Sequence, residues 1–222
     1  ENPGKMGRRW QRHTIGQPLN NMAEVYDFDR DGDLDVLGTK GKGSEANHEF
    51  VWAENNGAGD FTIHRNIHYT GKGDFLQGCT AISHEGQSHV ILSWHAGEDR
   101  VMALKVPRKP VERSWKTIKI SDKTLKEDLS PGDIDRDGDT DLLLGNKWLQ
   151  NRGSAWKSYR IGEVAQGSEP DRNSLADING DGRLDAVVSL ELGTQVYWYK
   201  APQDPTEQWT RYTIGKVAGQ GF

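Results

Sequence analysis

Asp27-Phe28-Asp29-Arg30-Asp31-Gly32-Asp33-Leu34-Asp35 places five carboxylates within nine residues, a crowd that would repel itself unless a cation sat in it. Calcium is the simplest occupant. A hard cation takes six to eight oxygen ligands, and alternate residues of a tight loop can turn their carboxylates inward while a glycine allows the bend. The stretch recurs as Asp133-Ile134-Asp135-Arg136-Asp137-Gly138-Asp139-Thr140-Asp141, and with one amide as Asp177-Ile178-Asn179-Gly180-Asp181-Gly182-Arg183-Leu184-Asp185. Three copies make a repeat, and a repeat decides the architecture first.

Asp27 and Asp133 lie 106 residues apart, two periods of 53, and Asp133 and Asp177 lie 44 apart. A further copy is therefore due near residue 81. Aligning Gly86 with Gly138 puts Ala81, Ser83, Glu85, Gln87 and His89 where the carboxylates stand elsewhere, ahead of the strand-like Val90-Ile91-Leu92, so this copy keeps the repeat and loses the metal. A second signature keeps the same beat: Trp10-x-x-His13-x-Ile15, Phe61-x-x-His64, Trp115-x-x-Ile118-x-Ile120, Trp156-x-x-Tyr159-x-Ile161 and Trp209-x-x-Tyr212-x-Ile214. A third lies between them, around Val51-Trp52, Val101-Met102, Lys147-Trp148 and Val196-Tyr197-Trp198. Alternation in each predicts strands.

Each unit thus has four short strands. Strand A enters the acidic loop, B leaves it, C carries the aromatic pair and D the Trp-x-x-aromatic pattern, which describes a blade of a β-propeller. The fold expected is all-β, with four four-stranded blades at about 22–68, 78–120, 129–161 and 174–214. Residues 1–21 read as the end of a preceding blade with an orphan strand at Trp10, because Glu1-Asn2-Pro3-Gly4 matches Glu54-Asn55-Asn56-Gly57. Residues 215–222 read as the start of a following one. Unpaired edges are an aggregation liability, so the expectation is one section of a larger, roughly seven-bladed propeller, completed by further blades or a second chain. A closed four-bladed ring is the alternative.

With these residues in view, the chain resembles the FG-GAP or VCBS repeat family, which includes integrin alpha-subunit propellers and many exported bacterial proteins, over essentially its whole length. The motif is Asp-x-Asp-x-Asp-Gly-x-x-Asp leading straight into a strand. The resemblance implies a structural Ca²⁺ in each A-to-B loop, bound by side chains at positions one, three, five and nine and the carbonyl at seven. That gives Asp27, Asp29, Asp31, Asp35 and the Asp33 carbonyl; Asp133, Asp135, Asp137, Asp141 and the Asp139 carbonyl; Asp177, Asn179, Asp181, Asp185 and the Arg183 carbonyl. It also implies a secreted or cell-surface protein of bacterial type. EF-hands and dockerins share the first half of the loop but need an acid at position twelve and flanking helix; here that position is Gly38, Leu144 or Val188. Metal-free Asx-turns are the other alternative.

Composition excludes several classes. A chain of 222 residues with eight Trp, six Tyr and 26 Gly suits short strands with large anchors and many turns. No run approaches the roughly 18 apolar residues that span a bilayer, and no basic patch calls for nucleic acid. Three Ca²⁺ would bring the formal charge from -5 to near +1. The lone Cys79 forms no intrachain disulfide and reads as a small buried hydrophobe.

Calcium at a clasp leaves function to the opposite face, made by the D-to-A and B-to-C loops. These hold His68, Tyr69, Asp74 and Gln77; Glu127 and Asp128; Glu169, Asp171, Arg172 and Asn173; and, from the B-to-C side, Lys40, Lys42, His48, Trp94, His95, Glu98, Asp99, Lys147 and Glu191. The mixture suits a polyhydroxylated ligand such as a glycan, with Trp94 or Trp148 as stacking surface. The candidate set is Asp74, Gln77, Trp94, His95, Lys147, Trp148, Glu169, Asp171 and Arg172; solvated loops are the plain alternative. His13 and His64 read as blade packing. No serine stands in a nucleophile elbow. A polysaccharide lyase or glycoside hydrolase could be assembled from Asp74, His95, Glu169 and Arg172, and a protein-adhesion propeller is a third reading, so whether the chain is an enzyme stays open.

Overall fold

In the computed structural model, residues 9–41, 49–71, 76–94, 101–122, 128–191 and 193–216 are described. They contain strands and no helix, arranged as four antiparallel sheets, each a four-stranded meander in chain order. Blade one is β1 (Asn21–Tyr26), β2 (Asp35–Thr39), β3 (Phe50–Asn55) and β4 (Phe61–His64). Blade two is β5 (Leu76–His84), β6 (Gln87–Trp94), β7 (Val101–Lys105) and β8 (Lys116–Ser121). Blade three is β9 (Leu129–Gly132), β10 (Asp141–Leu144), β11 (Lys147–Asn151) and β12 (Trp156–Arg160). Blade four is β13 (Pro170–Ala176), β14 (Asp185–Leu190), β15 (Gln195–Lys200) and β16 (Thr210–Lys216). The first strand of each blade lies against the first strand of the next, β1 on β5, β5 on β9 and β9 on β13. The sheets therefore splay outward from shared inner strands, as the blades of a propeller do. Gly78 permits one of these approaches, since a Cβ there would stand 3.0 Å from the Leu129 nitrogen and 3.1 Å from the Asp128 Cα.

The core lies between blades. Cross-strand registry sets Leu37, Trp52 and His64 in one row of blade one, and the indole of Trp52 stacks on His64 at 4.7 Å. Blade two covers that row with Val90, Leu92 and Trp115, whose ring is 5.9 Å from Trp52 and 5.3 Å from Phe28. Blade three repeats the arrangement as Leu143, Trp148 and Tyr159, stacked at 4.8 Å and covered by Val188, Tyr197 and Trp209 of blade four. Between blades two and three, Ile91, Ala103 and Ile118 meet Leu142, Leu144 and Leu149. Trp52 and Trp148 are wholly buried.

One expectation needs correction. No strand forms over Trp10–Ile15: residues 9–20 carry none, and Trp10 is 72% exposed. A strand must pair its backbone groups, and among the described residues nothing pairs with this segment as strand C pairs with D in each blade. It lies instead along blade one, with Gly16 against Ile63 and Leu19 against Gly38. The eroded copy near residue 81 keeps the repeat and joins its strands by a turn in place of an acidic loop. Ala81 and Ser83 belong to β5, Gln87 and His89 to β6, and Glu85-Gly86 is the whole connection, with φ of 50° and 69°. Two left-handed residues in succession make the tight hairpin turn whose twist matches paired strands.

Candidate metal loops and axial site

In the first and third blades the acidic loop gathers its carboxylates. Asp27, Asp29 and Asp35 each offer an oxygen within 4.8 Å of the others, as do Asp133, Asp135 and Asp141. The loop is wound by its own side chains: Asp27 accepts from the N–H of Arg30 at 2.7 Å and of Gly32 at 3.1 Å, and Asp31 from Asp33 at 2.9 Å. Position four takes a left-handed backbone in all three copies, by Arg30 (φ 67°), Arg136 (φ 64°) and Gly180 (φ 74°). The side chain of Asp33 lies against Gly57.

Position nine carries a second role that the motif does not announce. Asp35, Asp141 and Asp185 are completely buried. Asp35 accepts from the N–H of Phe28 at 3.0 Å with one oxygen and from Asn55 at 2.9 Å with the other. Asp141 does the same with Ile134 at 3.1 Å and Asn151 at 2.8 Å, and Asp185 accepts from Ala201 at 2.9 Å. Each thus ties its loop to the end of strand C, and Asn55 and Asn151 return the tie by donating to the carbonyls of Leu34 and Thr140.

Electrostatics and satisfaction both suit a divalent ion here. Burial first, then neighbouring acids, pushes Asp29 up to about 6; burial, followed by Asp135, pushes Asp141 up to about 6. Asp133 Oδ1 is buried without a hydrogen-bond partner, and an acceptor-only oxygen among other carboxylates is what a cation satisfies. The residues fit Ca²⁺.

The third acidic loop is assembled differently. Asn179 turns its amide donor to Asp185 Oδ2 at 3.2 Å. Asp181 pairs with the Arg183 guanidinium, and Lys200 stands 3.8 Å away. Local cations thus answer the carboxylate expected at position five. Arg136 crosses from the neighbouring loop to donate to the Gly182 carbonyl.

On the opposite face the expected ligand residues divide. Trp94 and Trp148 are both wholly buried, Trp94 among Phe50 and Tyr69 and Trp148 on Tyr159. Neither is a stacking surface for a ligand, because β6 runs through Trp94 and β11 opens before Trp148, placing both inside the sheet stack. Gln77 on β5 and Lys147 on β11 are partly exposed, and Glu169 is exposed. Asp74 and His95 lie outside the described residues, as do Lys42, His48, Glu98, Asp99 and Glu127.

Asp171 and Arg172 do come together with others, at the axial ends of the inner strands. Asn173 donates to the Asp128 carbonyl at 2.8 Å, and Ser130 Oγ donates to the Asn173 carbonyl at 3.0 Å. Arg172 Nε is 3.7 Å from Asp171. Asp171 is 6% exposed and Asn173 8%, yet Asp171 Oδ2 and Asn173 Oδ1 have no hydrogen-bond partner. Burial raises Asp128, which also feels the charge of Asp171; Arg172 opposes the rise. Toward blade one the series continues with Cys79, whose thiol is pushed up to about 12 by burial and by Glu24 and Asp128, and with Glu24, itself raised by burial. Only the convergence of inner strands, not any local motif, brings Glu24 and Cys79 into this series.

Residues 133–188 match the family model of the FG-GAP-like repeat. The chain is also similar to the crystal structure of a thermostable family-43 glycoside hydrolase, at a TM-score of 0.54 and 11% identity, over 93% of this chain and 77% of that one. At that identity the likeness speaks to fold alone, a β-propeller. No curated protein matches the chain in sequence.

Proposed function

We propose that the chain is a calcium-stabilised propeller region of an exported protein, and that its axial face recognises carbohydrate. The observation that carries this reading is the pair of buried, unpartnered acceptors, Asp171 Oδ2 and Asn173 Oδ1, beside the exposed Arg172. Buried acceptors cost free energy until a donor reaches them. Sugar hydroxyls donate to carboxylate and amide oxygens and accept from a guanidinium, which is the hydrogen-bonding chemistry these three groups call for. Asp27, Asp29 and Asp35, and Asp133, Asp135 and Asp141, would hold Ca²⁺ as a scaffold on the far side, and millimolar extracellular calcium fills weak sites of this type.

Affinity electrophoresis through gels containing neutral and uronate-rich polysaccharides tests the reading. Retardation that Arg172→Ala and Asp171→Asn abolish is expected, whereas mobility unchanged in every gel would overturn it. A second reading is favoured by the Asp128 carboxyl, raised by burial and further by the charge of Asp171, as glycoside hydrolysis requires of its acid. Release of reducing ends that disappears in Asp128→Asn would select that reading over simple binding.

A further inference from the structure

Each blade interface joins an outgoing face to an incoming one, and blade four repeats the outgoing face with nothing over it among the described residues. Position two of the acidic loop shows this first: Phe28 and Ile134 are 2% and 3% exposed, but Ile178 is 44% exposed. The rows Leu37–Trp52–His64 and Leu143–Trp148–Tyr159 continue in register as Val187–Trp198–Tyr212, with Trp198 stacked on Tyr212 at 4.9 Å. Trp52 and Trp148 are wholly buried under the next blade, whereas Trp198 is partly exposed and Tyr212 is 44% exposed. Trp52 Nε1 donates to Asn66, whose amide in turn reaches carbonyls of blade two, a bridge made across that interface. Blade four has the same row, lacking its cover.

We propose that this face binds a fifth four-stranded blade, supplied by the same polypeptide on the C-terminal side of β16. The cover of blade one comes from blade two, that of two from three and that of three from four, always the next sheet in sequence. A second copy entering through blade one fits less well, because the corresponding face of blade one already carries Gly16 and Leu19 against Ile63 and Gly38. The occupant presents branched aliphatic side chains on its second strand and an indole at the start of its fourth, as Trp115, Trp156 and Trp209 do in blades two to four.

The chain contains a probe for this face. Blade four already fits the Trp148–Tyr159 row, so a second copy of residues 161–216 appended after Lys216 should seat on Trp198–Tyr212. Ile178→Cys in a Cys79→Ala background reports the event, the substitution removing the chain's only other thiol. Maleimide labelling of that cysteine is expected to slow by about tenfold or more on appending the blade, and to recover when Tyr212→Glu is added. An unchanged labelling rate in an appended protein that melts in one transition would overturn the proposal. Should the added blade not fold, sedimentation of the 222-residue chain decides. A dimer dissolved by Tyr212→Glu would assign the face to a second copy and overturn the proposal. A monomer binding 8-anilinonaphthalene-1-sulfonate, with binding lost in the same variant, upholds it.

Discussion

Asp141 receives two backbone N–H groups, from Ile134 and Asn151, in a place no water reaches. Its replacement by Ala would leave both donors buried and unsatisfied, at a cost of about 2–4 kcal/mol. Because this tie needs no metal, urea unfolding in chelator should still show most of the loss; a loss confined to calcium-containing buffer would mean that ligation alone explains the residue. The raised carboxyls give a pH dependence. Asp29 and Asp141 stand at about 6 in the fold and near 3.9 when unfolded. A group whose folded value is raised opposes folding once ionised, so the calcium-free protein should gain stability as pH falls from about 7 toward 4. With saturating calcium the trend reverses, because protons then compete with the ion. Melting temperature against pH, with and without chelator, reads both arms; a flat profile in chelator would contradict the crowding. At this scale the carboxylates were legible because their spacing is a local property of nine residues. The burial of Trp94 and Trp148 was not, since it depends on where a strand ends within a stack of sheets. The departure of the third loop was hidden in Arg183 and Lys200, residues that look like ordinary surface cations.

The hairpin of blade two is the A-to-B connection that differs most from the other three. Glu85 takes a left-handed φ of 50° ahead of Gly86, a conformation that Asn adopts more readily than Glu. Glu85→Asn should therefore raise stability by about 0.5–1 kcal/mol, seen as a higher urea midpoint with an unchanged slope. A lower midpoint would mean that Glu85 makes a contact its carboxylate needs. The strand signatures of the four blades were legible from alternation, as was the rhythm of the loops. The segment at Trp10 carries the same signature without forming a strand, which shows the limit of a pattern: it encodes which face is apolar, while pairing depends on a neighbour elsewhere.

For the molecule as a whole, stability follows from nearest-neighbour stacking, as in other repeat architectures. An ion present at 100 times its Kd contributes ~2.7 kcal/mol, and each kcal/mol moves the melting point of a chain this size by about 2–4 °C. Two occupied loops should thus give a chelator-induced fall of about 10–20 °C, and an unchanged melting point would refute tight structural binding. Blade two shows what the fold itself asks of the A-to-B connection. Two residues, Glu85 and Gly86, reverse the chain and leave the inner strands packed on both neighbours. The metal loop is then an interchangeable cassette, and the chain carries its own spare part. Transplanting the Ser83–Gln87 turn into blade three offers a route to a propeller indifferent to chelators, in which the first two strands lengthen to meet the turn as β5 and β6 do beside the shorter β9 and β10.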